Sequence, residues 1–171
     1  MRIFLAILFL SIVSLAAEAS EALKVPYGFA WGDSSTRVQL SLKNSDATVV
    51  ETKNVRGRKC LVVEGIPQKM LLRALFYFEN DALNEIELQY GDPAWDGIKF
   101  STFVEETRRN IEKKYGVGRI VARSRTREGD VTQNLLGYQW VQPATTLALY
   151  SYTAEQGAST LRLMSLHYRG F

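Results

Sequence analysis

Eight short strand-forming segments, separated by polar turns, constrain the fold of this chain more than any other feature of its sequence. Alternating or continuous apolar residues predict strands over 48–52, 60–64, 70–78, 83–90, 119–127, 135–141, 146–152 and 160–168. The alternation is clearest over 83–90, where we expect Ile86 and Leu88 to face a core while Glu85 and Glu87 face water. The sequence therefore predicts a sheet-rich, antiparallel protein.

Two helices interrupt the strand segments. The residues Asp33 and Ser34 are suited to cap a first helix, which Asn44 ends. A second, amphipathic helix is predicted over 100–115, and Gly116 is suited to terminate it. Each predicted helix is followed by four predicted strands.

This order predicts an α+β fold of two tandem helix-plus-four-strand units, in which two helices pack on one face of an antiparallel sheet. The pseudo-repeats would span about 26–90 and 91–170. The two halves match in pattern and not in identity, so a single sheet that arose without duplication is the alternative.

The N-terminus predicts export. A positive start, an apolar run over 3–15 and the small residues Ala17 and Ala19 are typical of a signal peptide over 1–19. We expect cleavage to leave one exported domain, 20–171, in the periplasm or the medium, with no transmembrane segment. The alternative is an uncleaved membrane anchor.

The composition excludes several functions. A net charge of +3 and the expected export argue against a nucleic-acid partner. The chain has one His and one Cys, too few for a transition-metal cluster, so no metal or other cofactor is expected. Cys60 cannot form an internal disulfide, and its apolar neighbours predict a buried, inert thiol; an intermolecular disulfide is the alternative.

Short aromatic and glycine patterns carry a resemblance to known families. Phe29-Ala30-Trp31-Gly32 leads into a predicted helix, the run 76–83 forms an aromatic hairpin, and Gly116 ends a helix. These patterns resemble small exported bacterial modules of one helix and a β-meander. The tandem arrangement is similar to the β-lactamase inhibitor proteins, and the single module to the small lipoproteins of the outer-membrane barrel assembly machinery. The resemblance implies a non-catalytic module that works by protein contact.

Arginines on two hairpins are candidate binding residues. Arg123, Arg125 and Arg127 are spaced to lie on one side of a strand, and Arg56 and Arg58 occupy the corresponding hairpin of the first half. Such basic hairpins would suit an acidic partner, a lipid phosphate or an anionic polymer. The alternative is that these charges protect an exposed strand edge from pairing with other chains.

Trp95 is the aromatic residue most expected to be exposed, because the run 92–97 is typical of a loop; an exposed tryptophan would mark an interface. Trp140, on a strand, is expected in the core.

Enzyme chemistry has weak support. Gly32-Asp33-Ser34 resembles an esterase motif, but a helix cap explains it and no histidine stands at the family's spacing. We therefore expect an exported, non-enzymatic binding or protein-interaction module, acting on another envelope or extracellular protein as an inhibitor or assembly factor does. One alternative is a binder of an anionic envelope component through the basic hairpins. Another is a hydrolase with an unrecognised carboxylate site.

Overall fold

A computed structural model describes residues 22–171; the predicted signal peptide at 1–19 lies outside these residues. The first half contains a short 3-10 helix (Pro26–Gly28), α1 (Ser35–Lys43), β1 (Thr48–Val55), β2 (Arg58–Glu64), β3 (Leu71–Glu79) and β4 (Ala82–Tyr90). The second contains α2 (Gly97–Tyr115), β5 (Arg119–Glu128), β6 (Val131–Val141), β7 (Thr145–Gln156) and β8 (Ser159–Gly170). Within residues 22–171, no helix is both long and apolar enough to span a membrane.

The strands form one antiparallel sheet in the order β1-β2-β3-β4-β8-β7-β6-β5. The predicted antiparallel sheet is confirmed, but the predicted arrangement of two helix-plus-four-strand units is wrong. β4 pairs with β8 from Glu85 opposite Arg169 to Tyr90 opposite Met164, so the strands before and after α2 share a single sheet. Sequence patterns locate strands, but they do not state which strands pair across a long stretch of chain.

A single apolar core lies between the sheet and both helices. Strand side chains alternate between the two faces of a sheet, and one face receives the buried residues of α1 and α2. This core contains, among others, Val38, Leu42, Phe76, Ile86, Phe100, Val104, Ile111, Trp140 and Leu149. It therefore joins side chains from both halves of the chain.

The helix ends follow the local chemistry of the sequence. The Ser34 hydroxyl accepts a hydrogen bond from the Arg37 backbone N–H at 3.2 Å, and Asp96 accepts one from Lys99 at 2.8 Å. Each bond satisfies one backbone donor that the first helical turn leaves free. Gly116 ends α2 with φ of 80°, a conformation that glycine adopts without strain.

The expectation that Trp95 is exposed is wrong, since only 8% of its surface is accessible. The segment before α2 is a loop, but it folds back onto the helix. The indole lies against Phe100 and Phe103, with ring centroids 5.6 and 4.9 Å apart. Its apolar area is removed from water there, which makes it a core residue. Trp140 is 4% exposed, as predicted.

Candidate functional site

The sheet has an open face, which we define as the face opposite α1 and α2. At its centre, β4 contributes Glu85, Glu87 and Gln89, and β8 contributes Ser165 and His167. The expectation that the two glutamates face water is wrong, because their side chains are only 13% and 12% exposed. Alternation placed them opposite the core correctly, but neighbouring strands supply side chains that cover them.

His167 is the centre of this arrangement. Its Nδ1 lies 3.1 Å from Glu85 Oε1, and its Nε2 lies 3.1 Å from Ser165 Oγ and 3.8 Å from Glu87 Oε1. The β4–β8 register sets these contacts, since it pairs His167 with Glu87 and Gln89 with Ser165. The Tyr150 ring meets the imidazole edge-on, with centroids 5.3 Å apart. The imidazole is therefore held on several sides.

Glu85 is held as a carboxylate by its partners. Arg58 Nη1 approaches Glu85 Oε2 at 2.7 Å, while the same guanidinium lies 4.7 Å from the Tyr77 ring centroid. Burial acts to raise the pKa of Glu85, but hydrogen bonds from His167 and Arg58 outweigh burial and lower that pKa to about 2. Glu85 is thus unsuited to donate a proton as a general acid near neutral pH.

Glu87 is also fully engaged. It accepts hydrogen bonds from the Tyr77 hydroxyl at 2.8 Å and from the Gln89 amide, and Arg73 Nε donates to Gln89 Oε1 at 2.7 Å. Burial, followed by the nearby charge of Glu87, raises the pKa of Tyr77, so its hydroxyl remains a donor. We call these connected side chains the open-face cluster: Arg58, Arg73, Tyr77, Glu85, Glu87, Gln89, Ser165 and His167.

Apolar residues surround the open-face cluster. Cys60, Val62 and Leu75 pack with Tyr77 in a second buried cluster on β2 and β3. Burial raises the pKa of the Cys60 thiol to about 11, which agrees with the predicted inert role. Register and alternation also place Leu161 on this face, where it is 55% exposed.

The predicted basic residues occupy two separate places. Arg123 pairs with Leu136 and Arg125 with Asn134, which puts the row Arg123, Arg125 and Arg127 on the helix side of the sheet. Arg56 lies in the turn between β1 and β2, and Arg58 belongs to the open-face cluster. Between β2 and β5 lie β3, β4, β8, β7 and β6, a separation of roughly 29 Å at about 4.8 Å per strand. The two basic hairpins therefore form no common surface.

A groove also runs along the helix side. One cavity of about 750 Å³ lies between α2 and strands β6 to β8. An adjoining cavity of about 330 Å³ is lined by Arg123, Arg125 and Asn134. The two share lining residues, namely Leu136, Ser151 and Thr153.

Sequence reasoning missed the open-face cluster. The available signal was the spacing of Glu85, Glu87 and Gln89 on one strand and of Ser165 and His167 on another. The side chains of the two strands come together only because β4 and β8 are neighbours in the sheet, and spacing along the sequence does not reveal that pairing. Among residues 22–171, no group of three or more His, Cys, Asp or Glu side chains is arranged to hold a metal ion. In comparisons with known proteins, no family model, curated protein or solved structure significantly matches the chain.

Proposed function

We propose that this protein is an exported, non-enzymatic interaction module that binds another envelope or extracellular protein through the open face. The observation that carries the proposal is the open-face cluster: a hydrogen-bonded set of polar and aromatic side chains on the sheet face opposite α1 and α2, where Arg58 and His167 stay 21% and 25% exposed. The expectation of export rests on the signal peptide predicted over 1–19.

The dimensions of the open face suit a protein partner. Eight strands at about 4.8 Å spacing make a surface roughly 34 Å wide, and eight residues of strand extend roughly 27 Å. Twist and the burial of side chains such as Val62 and Tyr77 reduce the usable area, so a partner would have to cover most of the face to bury the roughly 800 Å² per partner of a specific complex. A small ligand would use only a fraction of it.

The chemistry of the face also suits protein recognition. Tyr and Arg are enriched among the residues that dominate binding energy at interfaces, and the face offers the partly exposed side chains of Tyr150 on β7 and Arg58 on β2. Side chains that are already fixed by hydrogen bonds lose little conformational entropy on binding. Exposed Leu161 adds apolar area near one end of the face.

The alternative of an anionic ligand held jointly by both basic hairpins is disfavoured. Arg58 is committed to Glu85, and the β5 arginines lie at the far end of the sheet on its other face. One ligand of small or moderate size does not reach both. The resemblance to exported helix-and-meander modules stays a prediction, and no partner is transferred from those families.

Matched aspartate substitutions test the proposal. Leu161 on the open face and Leu40 on α1 are 55% and 56% exposed, so Leu161→Asp and Leu40→Asp make the same chemical change at equal exposure. The mature chain would be used to capture partners from its native envelope or medium, with quantification by mass spectrometry. We expect Leu161→Asp to lose a specific partner that wild type and Leu40→Asp both retain. Equal capture by both variants would contradict the proposal.

A second candidate is a serine hydrolase, because Ser165, His167 and Glu85 are connected in the order nucleophile, base and acid. It is the weaker candidate for two reasons. First, Ser165 is only 8% exposed, so a substrate has little access to its hydroxyl. Second, the Ser165 backbone pairs with Gln89 on one side and Tyr150 on the other. The nearby backbone N–H groups are therefore used in the sheet and are not available to stabilise an oxyanion.

A fluorophosphonate probe distinguishes the two candidates. An activated serine is labelled by such a probe, and the label disappears in Ser165→Ala. The interaction-module proposal expects no labelling of the native chain. Labelling that requires both Ser165 and His167 would favour the hydrolase.

A further inference from the structure

Among the strands of residues 22–171, β5 is an outer strand of the sheet and pairs with β6 alone. Along its ten residues, every side chain except that of Ala122 is exposed. Alternate backbone N–H and C=O groups of such an edge point away from the sheet and are free to pair with another strand. The edge is therefore a template for strand addition.

The charges on β5 bear on what would pair with it. Arg123 and Arg125 are exposed on the same face, and neither guanidinium group forms a hydrogen bond or ion pair within residues 22–171. Arg127 continues the row, and its guanidinium donates to the Gly129 carbonyl at 3.2 Å. Two neighbouring guanidinium groups without anions favour an incoming strand that carries carboxylates.

Pairing with a second copy of this chain is disfavoured. When two edges join antiparallel in a continuous sheet, directly opposed residues keep their side chains on the same face. The β5 arginine row of one copy would then face the same row of the other, with Arg123 opposite Arg123 or Arg125. Like charges in directly opposed positions are destabilising. Charge repulsion between the two arginine rows therefore disfavours dimerisation through the β5 edge.

We propose that β5 accepts an extended acidic segment of a different protein as a ninth strand. Backbone hydrogen bonds along the edge supply affinity, and alternate carboxylates of the segment lie opposite Arg123 and Arg125 and select it. Strand addition of this kind is a recurring mode of peptide recognition. A cavity of about 330 Å³ over β5, β6 and β7 is lined by Arg123 and Arg125, so the two guanidinium groups border open space on the helix side of the sheet. This site does not depend on the open face.

A ten-residue fluorescent peptide of alternating Glu and Thr is the probe, and a Lys–Thr peptide is its charge-reversed control. Binding to the mature chain is followed by fluorescence anisotropy. We expect Arg123→Glu/Arg125→Glu to weaken Glu–Thr binding at least tenfold and to gain binding of the Lys–Thr peptide. The control variant Arg56→Glu/Lys69→Glu makes the same charge change at exposed sites outside β5 and should stay within twofold of wild type.

Amide hydrogen exchange separates strand addition from simple charge attraction. Bound peptide should slow exchange of the outward-facing β5 amides at least tenfold, while β1 amides at the other edge are unchanged. Several results would overturn the proposal: no peptide binding, equal loss in the control variant, or binding without β5 protection. The proposal would also be overturned if the mature chain bound phosphatidylglycerol vesicles more tightly than it bound the Glu–Thr peptide. Absence of peptide binding would leave the arginines as edge protection, equal loss or missing β5 protection would indicate general charge attraction, and preferential vesicle binding would indicate a lipid contact.

Discussion

Two arginines close together in the sequence have different roles at the scale of single residues. Arg58 is 21% exposed, bonded to Glu85 and stacked on Tyr77, whereas Arg56 is exposed in a turn. We expect Arg58→Ala to lower the free energy of unfolding by about 2 kcal/mol, because it leaves a largely buried carboxylate without its cation. Arg56→Ala should change it by less than about 0.5 kcal/mol.

Urea unfolding of the two variants measures the difference. Similar midpoints for Arg58→Ala and Arg56→Ala would mean that the Arg58–Glu85 pair is only a surface contact. The sequence predicted both arginines as equivalent binding residues, since spacing along a hairpin does not reveal a partner on β4.

Glu85 predicts a pH dependence of stability. Its pKa is lowered from 4.5 to about 2 on folding, so the unfolded chain binds the proton more tightly. The stabilisation is therefore fully present above pH 4.5 and is lost as the pH falls towards 2. A shift of this size corresponds to at most about 3 kcal/mol. Unfolding of wild type and Glu85→Gln at pH 6 and pH 3 measures it.

The difference in stability between wild type and Glu85→Gln isolates this one carboxyl from the other acids. It should shrink markedly at pH 3. A difference that is the same at both pH values would show that the bonds from His167 and Arg58 do not hold Glu85 in its charged form.

Among the elements, the close contact between β6 and β7 positions Tyr150, the ring that lies against His167 of the open-face cluster. A Cβ added to Gly137 would lie 2.6 Å from the Tyr150 ring, so glycine lets this ring lie flat against the neighbouring strand and reach His167. We expect Gly137→Ala to displace Tyr150, to destabilise the protein by about 1–3 kcal/mol and to shift the His167 ring resonances. Gly97→Ala is the control, because a Cβ there meets nothing within 4 Å.

Calorimetry and NMR spectra of the two variants test this contact. Unchanged His167 resonances in Gly137→Ala would show that Tyr150 does not depend on the missing side chain.

The elements themselves were largely predictable, because period, caps and turn residues are local properties. α1 begins after the cap at Ser34, α2 ends at Gly116, and the strand segments lie near their predicted positions. Pairing across the sheet was not predictable, since it depends on contacts between distant segments. The open-face cluster and the burial of Trp95 both follow from such contacts, and sequence reasoning missed both.

For the whole molecule, the β4–β8 pairing joins both halves around one core. We therefore expect a single cooperative unfolding transition, with the same midpoint by far-ultraviolet circular dichroism and by tryptophan fluorescence. Two separate transitions would mean that the halves fold independently and that the β4–β8 pairing is weak.

We propose that the open face is the surface through which this protein contacts its partner. Site-specific photo-cross-linking in the native source is the decisive measurement. A benzophenone side chain would be placed on the open face at Leu161 or at Tyr152, which lies two residues from Tyr150 on β7 and so shares its face, or on the helices at Leu40 or Ile98. We expect the open-face positions to capture the same protein and the helix positions to capture none of it. Capture of that protein from Leu40 or Ile98, with none from Tyr152 or Leu161, would contradict it.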